Sequence, residues 1–196
     1  MNLAALRAEC RTRLGDEANP PLWADKWLDE RLNEAEREAC IRARLIEDSS
    51  SVASSLDLTT TEKRYPLHES VLDVLCCELE SNPGAPVGGW TITEAEIVFA
   101  DLPKKDDVLL MTVIRMPLNP MTGNKDEPEI RAHHHARLVS WVLHCAYLVQ
   151  DTEAFDPQAA QRHEAEFEHY FGERPTANVQ RKHRAKTGHV TRMAHF

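Results

Sequence analysis

Residues 22–47, LWADKWLDERLNEAEREACIRARLIE, are the stretch that decides the fold of this chain. Apolar residues recur in it at spacings of three and four, the period of one helical face: Leu28, Leu32, Ala35, Ala39, Ala43 and Ile46. The opposite face is dense in Asp, Glu and Arg. The pattern predicts one amphipathic helix over residues 22–47, about 39 Å long at ~1.5 Å per residue. A helix this long and thin needs an apolar partner along its whole length.

Three further helices are predicted on either side of this stretch. The first covers residues 3–14, where four apolar residues fall on one face: Leu3, Leu6, Cys10 and Leu14. The second covers residues 129–150 and is apolar nearly all round in its C-terminal half, which is typical of a helix buried between other elements. The last covers residues 156–171, because Asp156 and Pro157 form an N-cap followed by a proline in the first turn.

Between these helices the pattern changes to alternation, with many Thr, Val and Ile residues. Strands are predicted near residues 57–65, 71–79, 91–100 and 108–115. Turn clusters rich in Pro, Gly and Asp separate them. We therefore predict an α+β protein that is mainly helical. It comprises a helical bundle, one small antiparallel sheet inserted at about 57–115 and an extended C-terminal arm.

The C-terminal arm, residues 173–196, differs in charge from the rest of the chain. The 196 residues carry a formal net charge of −9, yet from residue 174 onward there are six basic residues and no acid: Arg174, Arg181, Lys182, Arg184, Lys186 and Arg192. Its large apolar residues are too few to build a core: Val179, Val190, Met193 and Phe196. The arm is therefore predicted to be extended and to become ordered when it binds a partner.

The cysteines and the apolar runs indicate where the protein is made. Five cysteines without a CxxC pair are interpreted as thiols on apolar faces, which implies a reducing compartment during folding. The N-terminus lacks an apolar run of signal-peptide length, and the longest apolar stretch is far below the ~20 residues that span a bilayer. We expect a soluble protein, made in the cytoplasm, with no membrane partner.

The histidines and carboxylates predict neither a metal centre nor an active site. Consecutive side chains in the run 133–135 point about 100° apart on a helix, and HEAEFEH at 163–169 is not HExxH, so neither group is expected to share one ion. No nucleophile elbow, phosphate-binding loop or dinucleotide motif is present. Carboxylate pairs at helical spacing are interpreted as a solvated face: Glu34 with Glu38, and Glu164 with Glu168. We expect no metal, no cofactor and no catalytic residue.

Trp23 and Trp27 lie one helical turn apart at the start of the long helix. Core or interface packing is the favoured interpretation, rather than stacking on a ligand. Together with Leu28 and Leu32, they are the candidates for packing between subunits.

The order of four segments resembles that of the head-to-tail adaptor proteins of tailed bacteriophages, also called connector or head-completion proteins. A proline and a Trp-containing long helix with an Asn-Glu-Ala step come first, PPLWADKWLDERLNEAEREACIRARLIED. A Tyr-Pro-Leu turn and a Val-Leu-Asp-Val strand follow, TTTEKRYPLHESVLDVLCCEL. The third segment is a strand that ends in an Arg-x-Pro-Leu motif, FADLPKKDDVLLMTVIRMPLNPM. The fourth segment is a turn of acidic residues and proline followed by two predicted helices, DEPEIRAHHHARLVSWVLHCAYLVQDTEAFDPQAAQRHEAEFEHYFG.

This resemblance, over residues 2–172, implies a structural virion protein with an adaptor domain at residues 1–172. Proteins of this kind form a ring of twelve subunits beneath the portal, receive the tail, nozzle or stopper protein, and let DNA pass through the channel without specific binding. By the same analogy, the basic arm from Arg174 to Phe196 is the portal-docking element. The expected location is the neck of the virion.

Three other functions stay open at this point. The first is hydrolysis of the cell wall, for which Glu164 and Glu94 offer no evident carboxylate partner. The second is a nucleic-acid-binding module that works through the arm. The third is a stopper ring one level below the adaptor.

Overall fold

The computed structural model describes residues 1–93, 95–150 and 153–179, and its α+β architecture confirms the predicted fold class. Contacts divide the chain into two compact units. The helical unit comprises Met1–Ile46 and Pro117–Arg174, and the sheet unit is built on Glu47–Met116. The predicted limits of the adaptor domain and of the arm stay a prediction.

The first two helices of the helical unit are α1, Leu3–Leu14, and α2, Asp25–Ala43. Helix α2 is shorter at both ends than the predicted 22–47. At its start, the backbone N–H groups of residues 22 and 23 donate to the Asp16 carboxylate and not to a helical turn. At its end, Arg44 adopts a left-handed conformation with φ of 52°, and the chain then enters strand β1, Ile46–Asp48.

The remaining helices are α3, Val139–Tyr147, and α4, Pro157–Phe171. The predicted continuous helix over 129–150 is wrong, because residues 132–138 form a 3-10 helix and Arg131 before them has an extended ψ of 142°. The backbone of Ile130 is bonded instead to side chains, as described below for Glu36 and His135. Helix α4 begins where the Asp-Pro pair predicts a start.

One apolar core holds the helical unit together. Helices α2, α3 and α4 each contribute fully buried side chains to it, among them Leu28, Leu32, Val142, Leu143 and Phe167. Burying a side chain of this size contributes roughly 1.5–3 kcal/mol. The long helix therefore finds its partners in α1, α3 and α4 of its own chain.

The sheet unit contains two antiparallel sheets in its described residues, so the predicted single four-stranded sheet is wrong. The strands after β1 are β2 Ser55–Leu58, β3 Arg64–Pro66, β4 Val71–Leu79, β5 Asn82–Pro86, β6 Trp90–Ile92, β7 Glu96–Phe99 and β8 Asp107–Arg115. The first sheet has the order β1–β8–β4–β5, with β2 also paired to β8. The second has the order β3–β7–β6.

The pairing of β2 and β3 explains why two sheets form. The predicted strand 57–65 is interrupted, because its beginning pairs with β8 while its end pairs with β7. The Tyr65 hydroxyl secures the turn between them: it accepts the N–H of Thr59 and lies within hydrogen-bond distance of the carbonyls of Thr59 and Glu62. None of the helices in the described residues is long and apolar enough to cross a membrane.

Candidate assembly surfaces

The two tryptophans at the start of α2 stack on each other. Their ring centroids lie 4.5 Å apart with an interplanar angle of 29°. Trp23 is buried, whereas Trp27 is half-buried and has the Arg31 guanidinium 5.9 Å from its ring centroid. Of the two rings, Trp27 is the one with surface to offer another molecule.

Leu28 and Leu32, the other two subunit-packing candidates, lie elsewhere than the sequence suggests. Both side chains have zero exposed surface within their own chain and belong to the core of the helical unit. The amphipathic stripe therefore faces α1, α3 and α4 rather than a neighbouring subunit. Periodicity alone could not separate these two destinations, because a core and an interface require the same apolar spacing.

Ion pairs attach α1 to the start of α2. Arg7 forms a bidentate pair with Asp29, at 2.9 Å from Nε to Oδ1 and 2.8 Å from Nη2 to Oδ2. Arg11 lies 2.6 Å from the carboxylate of Asp16 and 2.5 Å from that of Asp25. Because the Asp16 carboxylate also accepts the backbone N–H groups that precede α2, it fixes the entry of the chain into this helix.

Two polar side chains of α2 hold the loop 117–131. The Asn33 amide bonds both backbone groups of Met121, accepting its N–H at 2.7 Å and donating to its carbonyl at 3.0 Å. One turn further, the buried Glu36 carboxylate accepts the N–H of Ile130 at 3.3 Å. Burial raises the pKa of Glu36 to about 7, although the N–H groups of Ile130 and Glu129 oppose part of the rise.

The carboxylate of Glu38 lies at the root of the basic arm. Its Oε2 lies 3.4 Å from Arg42 Nε, and its Oε1 lies 3.3 Å from Arg174 Nη2. Arg42 in turn lies over the rings of Trp141 and Phe167, 5.2 Å from each centroid. Glu38 is therefore buried between two arginines, and the interpretation of the Glu34–Glu38 pair as a solvated face is wrong for Glu38. The i,i+4 spacing of Glu38 and Arg42 was the available signal.

Of the portal-docking candidates, Arg174 is the one that the structure describes. The others lie outside the described residues: Arg181, Lys182, Arg184, Lys186, Arg192 and Phe196.

A surface of different character lies around the 3-10 helix. We call it the histidine–arginine patch; it comprises Arg131, His133, His134, Arg137 and Tyr170. The Tyr170 ring has the Arg137 guanidinium 5.0 Å from its centroid, and its hydroxyl lies 3.2 Å from His134 Nδ1. Burial, assisted by the nearby His133, His135 and Arg131, lowers the pKa of His134. Arg131, His133 and Arg137 are exposed.

Third in the histidine run, His135 is buried and structural. Its Nε2 lies 2.9 Å from the Ile130 carbonyl and its Nδ1 lies 2.7 Å from the amino group of Met1. His163 lies 3.1 Å from Glu166 on its own helix. Within residues 1–93, 95–150 and 153–179, no three metal-ligating side chains are grouped so that they could hold an ion.

The cysteine thiols and the carboxylate of Glu164 show no arrangement typical of an active site in the described residues. None of the five cysteines forms a disulfide, and burial raises the pKa of the Cys10 and Cys77 thiols to about 12. Glu164 lies 4.0 Å from His144, and Glu94 lies outside the described residues. A small cavity in the sheet unit, about 140 Å³, is lined by both apolar and acidic side chains, among them Ile92, Glu69 and Asp73.

Together, these polar contacts hold the helical unit, and the residues left at its surface include the half-buried Trp27 and the exposed arginines of the histidine–arginine patch. The family model described as SU10 adaptor protein matches residues 1–192. The chain therefore belongs to this family of phage head-to-tail adaptors. It is a structural bacteriophage protein, of a family that associates with portal and tail proteins in the virion neck. Comparison with curated proteins gives no match.

Proposed function

We propose that the chain assembles as a ring of twelve copies beneath the portal vertex, joins the capsid to the tail, and lines the channel through which DNA passes. The observation that carries this proposal is the family match over residues 1–192, which includes both structural units and nearly all of the basic arm. Five cysteines that form no disulfide support synthesis in the reducing host cytoplasm before assembly.

The charge distribution supports a channel that does not hold DNA. Without the last 23 residues, the chain carries 32 acidic and 17 basic residues, a formal charge of −15. Binding to DNA requires neutralisation of phosphates by Lys and Arg, so an acidic lumen lets the duplex slide. The arm reverses this charge, and we propose that it docks on the portal.

The contacts at the root of the arm support its role in docking. Glu38 and Arg42 hold the chain at residues 172–174, because Arg42 Nη1 also lies 3.4 Å from the Gly172 carbonyl. An arm with an anchored root loses less conformational entropy on binding than a fully free one. Twelve arms on one portal would then multiply a weak contact.

Native mass spectrometry of the chain alone, and mixed with the portal protein of the same phage, tests the proposal. We expect a monomer alone and a ring of twelve on the portal. Deletion of residues 175–196 should abolish the ring. A length-matched control replaces five arm residues by Gln and separates charge from chain length: Arg181, Lys182, Arg184, Lys186 and Arg192. A chain that stays monomeric with the portal would overturn the proposal.

A second candidate function is nucleic-acid binding by the arm, favoured by its six basic residues and absence of acids. Its signature is an affinity for duplex DNA that falls steeply with salt and disappears when residues 175–196 are deleted. Binding to DNA without binding to the portal would favour this second function over the first.

A further inference from the structure

The arginines of the helical unit fall into two groups. Most are paired with carboxylates: Arg7, Arg11, Arg13, Arg31, Arg42 and Arg174. Arg131 and Arg137 are exposed, and neither has a carboxylate within 4.0 Å in the part of the chain that the structure describes. Arg37 and Arg162 are also exposed and without a carboxylate within 4.0 Å in the described residues, but only Arg131 and Arg137 belong to the histidine–arginine patch, beside an exposed tyrosine.

Along the chain, acidic residues stop at Glu129, just before these two arginines, and resume only at Asp151. From residue 130 to residue 150 there is no Asp or Glu, while there are two Arg and four His residues. Tyr170 adds an exposed aromatic ring, which Arg137 covers and His134 orients. Arginine beside tyrosine is a combination enriched at protein interfaces, because both supply contact area together with directed hydrogen bonds.

Identical copies of this chain carry the same net charge, and this charge opposes their assembly into a ring. Each copy carries −9, so neighbours repel one another unless opposite charges meet where they touch. The sheet unit contains 13 acidic residues and five basic ones between residues 47 and 116. Ring contacts are head-to-tail, so the two halves of the interface are different surfaces of the same chain. A positive patch in one unit and an acid excess in the other meet this requirement.

We propose that the histidine–arginine patch of one copy docks on the acidic surface of the sheet unit of a second copy. The candidate partners on that unit are its exposed carboxylates, among them Glu47, Asp57, Glu62, Glu80, Asp101 and Asp106. This inference rests on the proposed ring and names one of its contacts. Rim charges of this kind set the orientation and the rate of association, and a like-charge contact disfavours assembly.

Charge reversal tests the contact. The variant Arg131→Glu/Arg137→Glu should require at least about tenfold more protein to form the ring on the portal, measured by native mass spectrometry. The matched control is Arg37→Glu/Arg162→Glu. These arginines are also exposed on the helical unit, with no carboxylate within 4.0 Å in the described residues, and their reversal changes the net charge equally. The control should form the ring at the wild-type concentration.

Reversing the charge of single carboxylates on the sheet unit then identifies the partners of the patch. In the Arg131→Glu/Arg137→Glu background, each of the six carboxylates is changed singly to Lys, and at least one change should restore part of the assembly. Failure of all six to restore it would overturn the assignment of the acidic surface. Equal loss of assembly in the Arg37/Arg162 control would overturn the assignment of the patch, by showing that net charge alone is responsible.

Two further outcomes separate this inference from its alternatives. If the wild-type chain forms no ring on the portal, the proposed function fails. If the wild-type ring forms and the patch variant forms it equally well, only the patch inference fails. A gel-shift assay with a 30-base-pair duplex at low salt completes the test. Binding that the patch variant loses and the control variant keeps would assign the patch to DNA, against our proposal.

Discussion

Arg7 and Arg11 on α1 and Arg131 and Arg137 in the histidine–arginine patch show two uses of the same side chain. The first pair is largely buried and bonded to carboxylates of α2 and of the loop before it. The second pair is exposed and lacks a carboxylate in the described residues. The difference teaches that this protein separates charges that hold its fold from exposed charges that carry no such structural role. Substitutions in the two regions should therefore affect different properties.

The largest effect is expected at Asp16, where the fold-holding charges converge. The variant Asp16→Ala leaves Arg11 without the more buried of its two carboxylates and leaves two backbone N–H groups without their acceptor. Because the Asp16 side chain is only 5% exposed, we expect a loss of about 4 kcal/mol in the free energy of unfolding. Urea titration followed by tryptophan fluorescence measures it.

Asp25 is the control, since it also pairs with Arg11 but its side chain is 59% exposed. Asp25→Asn should cost no more than about 1 kcal/mol. Equal losses for the two variants would contradict the argument that burial gives the Asp16 pair its value.

The next effect is a pH dependence that originates at Glu36. Its pKa is raised to about 7 in the folded protein from an ordinary value of 4.5. Between these values the folded state keeps a proton that the unfolded chain has released, so stability falls as the pH rises. The contribution is complete below pH 4.5 and lost above about pH 7, with a total of about 3 kcal/mol.

The variant Glu36→Gln isolates this contribution, because its side chain is neutral at every pH. The difference in unfolding free energy between the variant and the wild type should change with pH over the interval from 4.5 to 7. Other groups titrate equally in both proteins and cancel. A difference that is constant over this interval would show that Glu36 does not carry the shift.

A smaller and local effect is expected at the root of the arm. The variant Glu38→Gln removes the charge that faces both Arg42 and Arg174. The Glu38–Arg174 pair, whose arginine side chain is 59% exposed, contributes about 1 kcal/mol at the root, so amide exchange at residues 173–179 should accelerate about fivefold. Hydrogen-exchange mass spectrometry measures it, with Glu34→Gln on the same helix as the control. Unchanged exchange at these residues would argue against an anchored root.

The smallest effect on stability is expected in the patch. Removal of Arg131 and Arg137 as Arg131→Ala/Arg137→Ala should change the unfolding free energy by less than about 0.5 kcal/mol, since no carboxylate of the described residues loses a partner. Arg7→Ala should cost about 2 kcal/mol by comparison, because it breaks the bidentate pair with Asp29. A large loss in the patch variant would mean that these arginines support the fold after all.

The helices were predictable where the signal is local. The stripe that contains Leu28 and Leu32 is set by the helical period, and Asp156 before Pro157 marks a helix start through its own side chain. The start and end of α2 were not predictable in the same way. Asp16 is six residues before Leu22, and Arg44 takes a conformation that is uncommon for residues other than glycine.

The strand pairing in the sheets was even less predictable from the local sequence than the ends of α2. Residues 57–65 have the alternation of one strand, yet the two ends pair with different strands, more than 30 residues further along the chain. Residues 82–86 consist of turn-forming residues and still form β5, because β4 supplies the hydrogen-bonding partner. Strand pairing is a long-range contact, so a local window cannot contain it.

By itself, the sequence determined the α+β class, the apolar stripe of α2, the acidic balance and the basic arm, because these follow from residue type and spacing. The order of segments also indicated the adaptor family, which the match over residues 1–192 confirms. Only the tertiary structure decided that Leu28 and Leu32 face their own core, that Glu38 lies between two arginines, and that Arg131 and Arg137 lack a carboxylate in the described residues. The physical reason is that burial and charge pairing depend on distances between residues far apart in sequence, which folding alone sets.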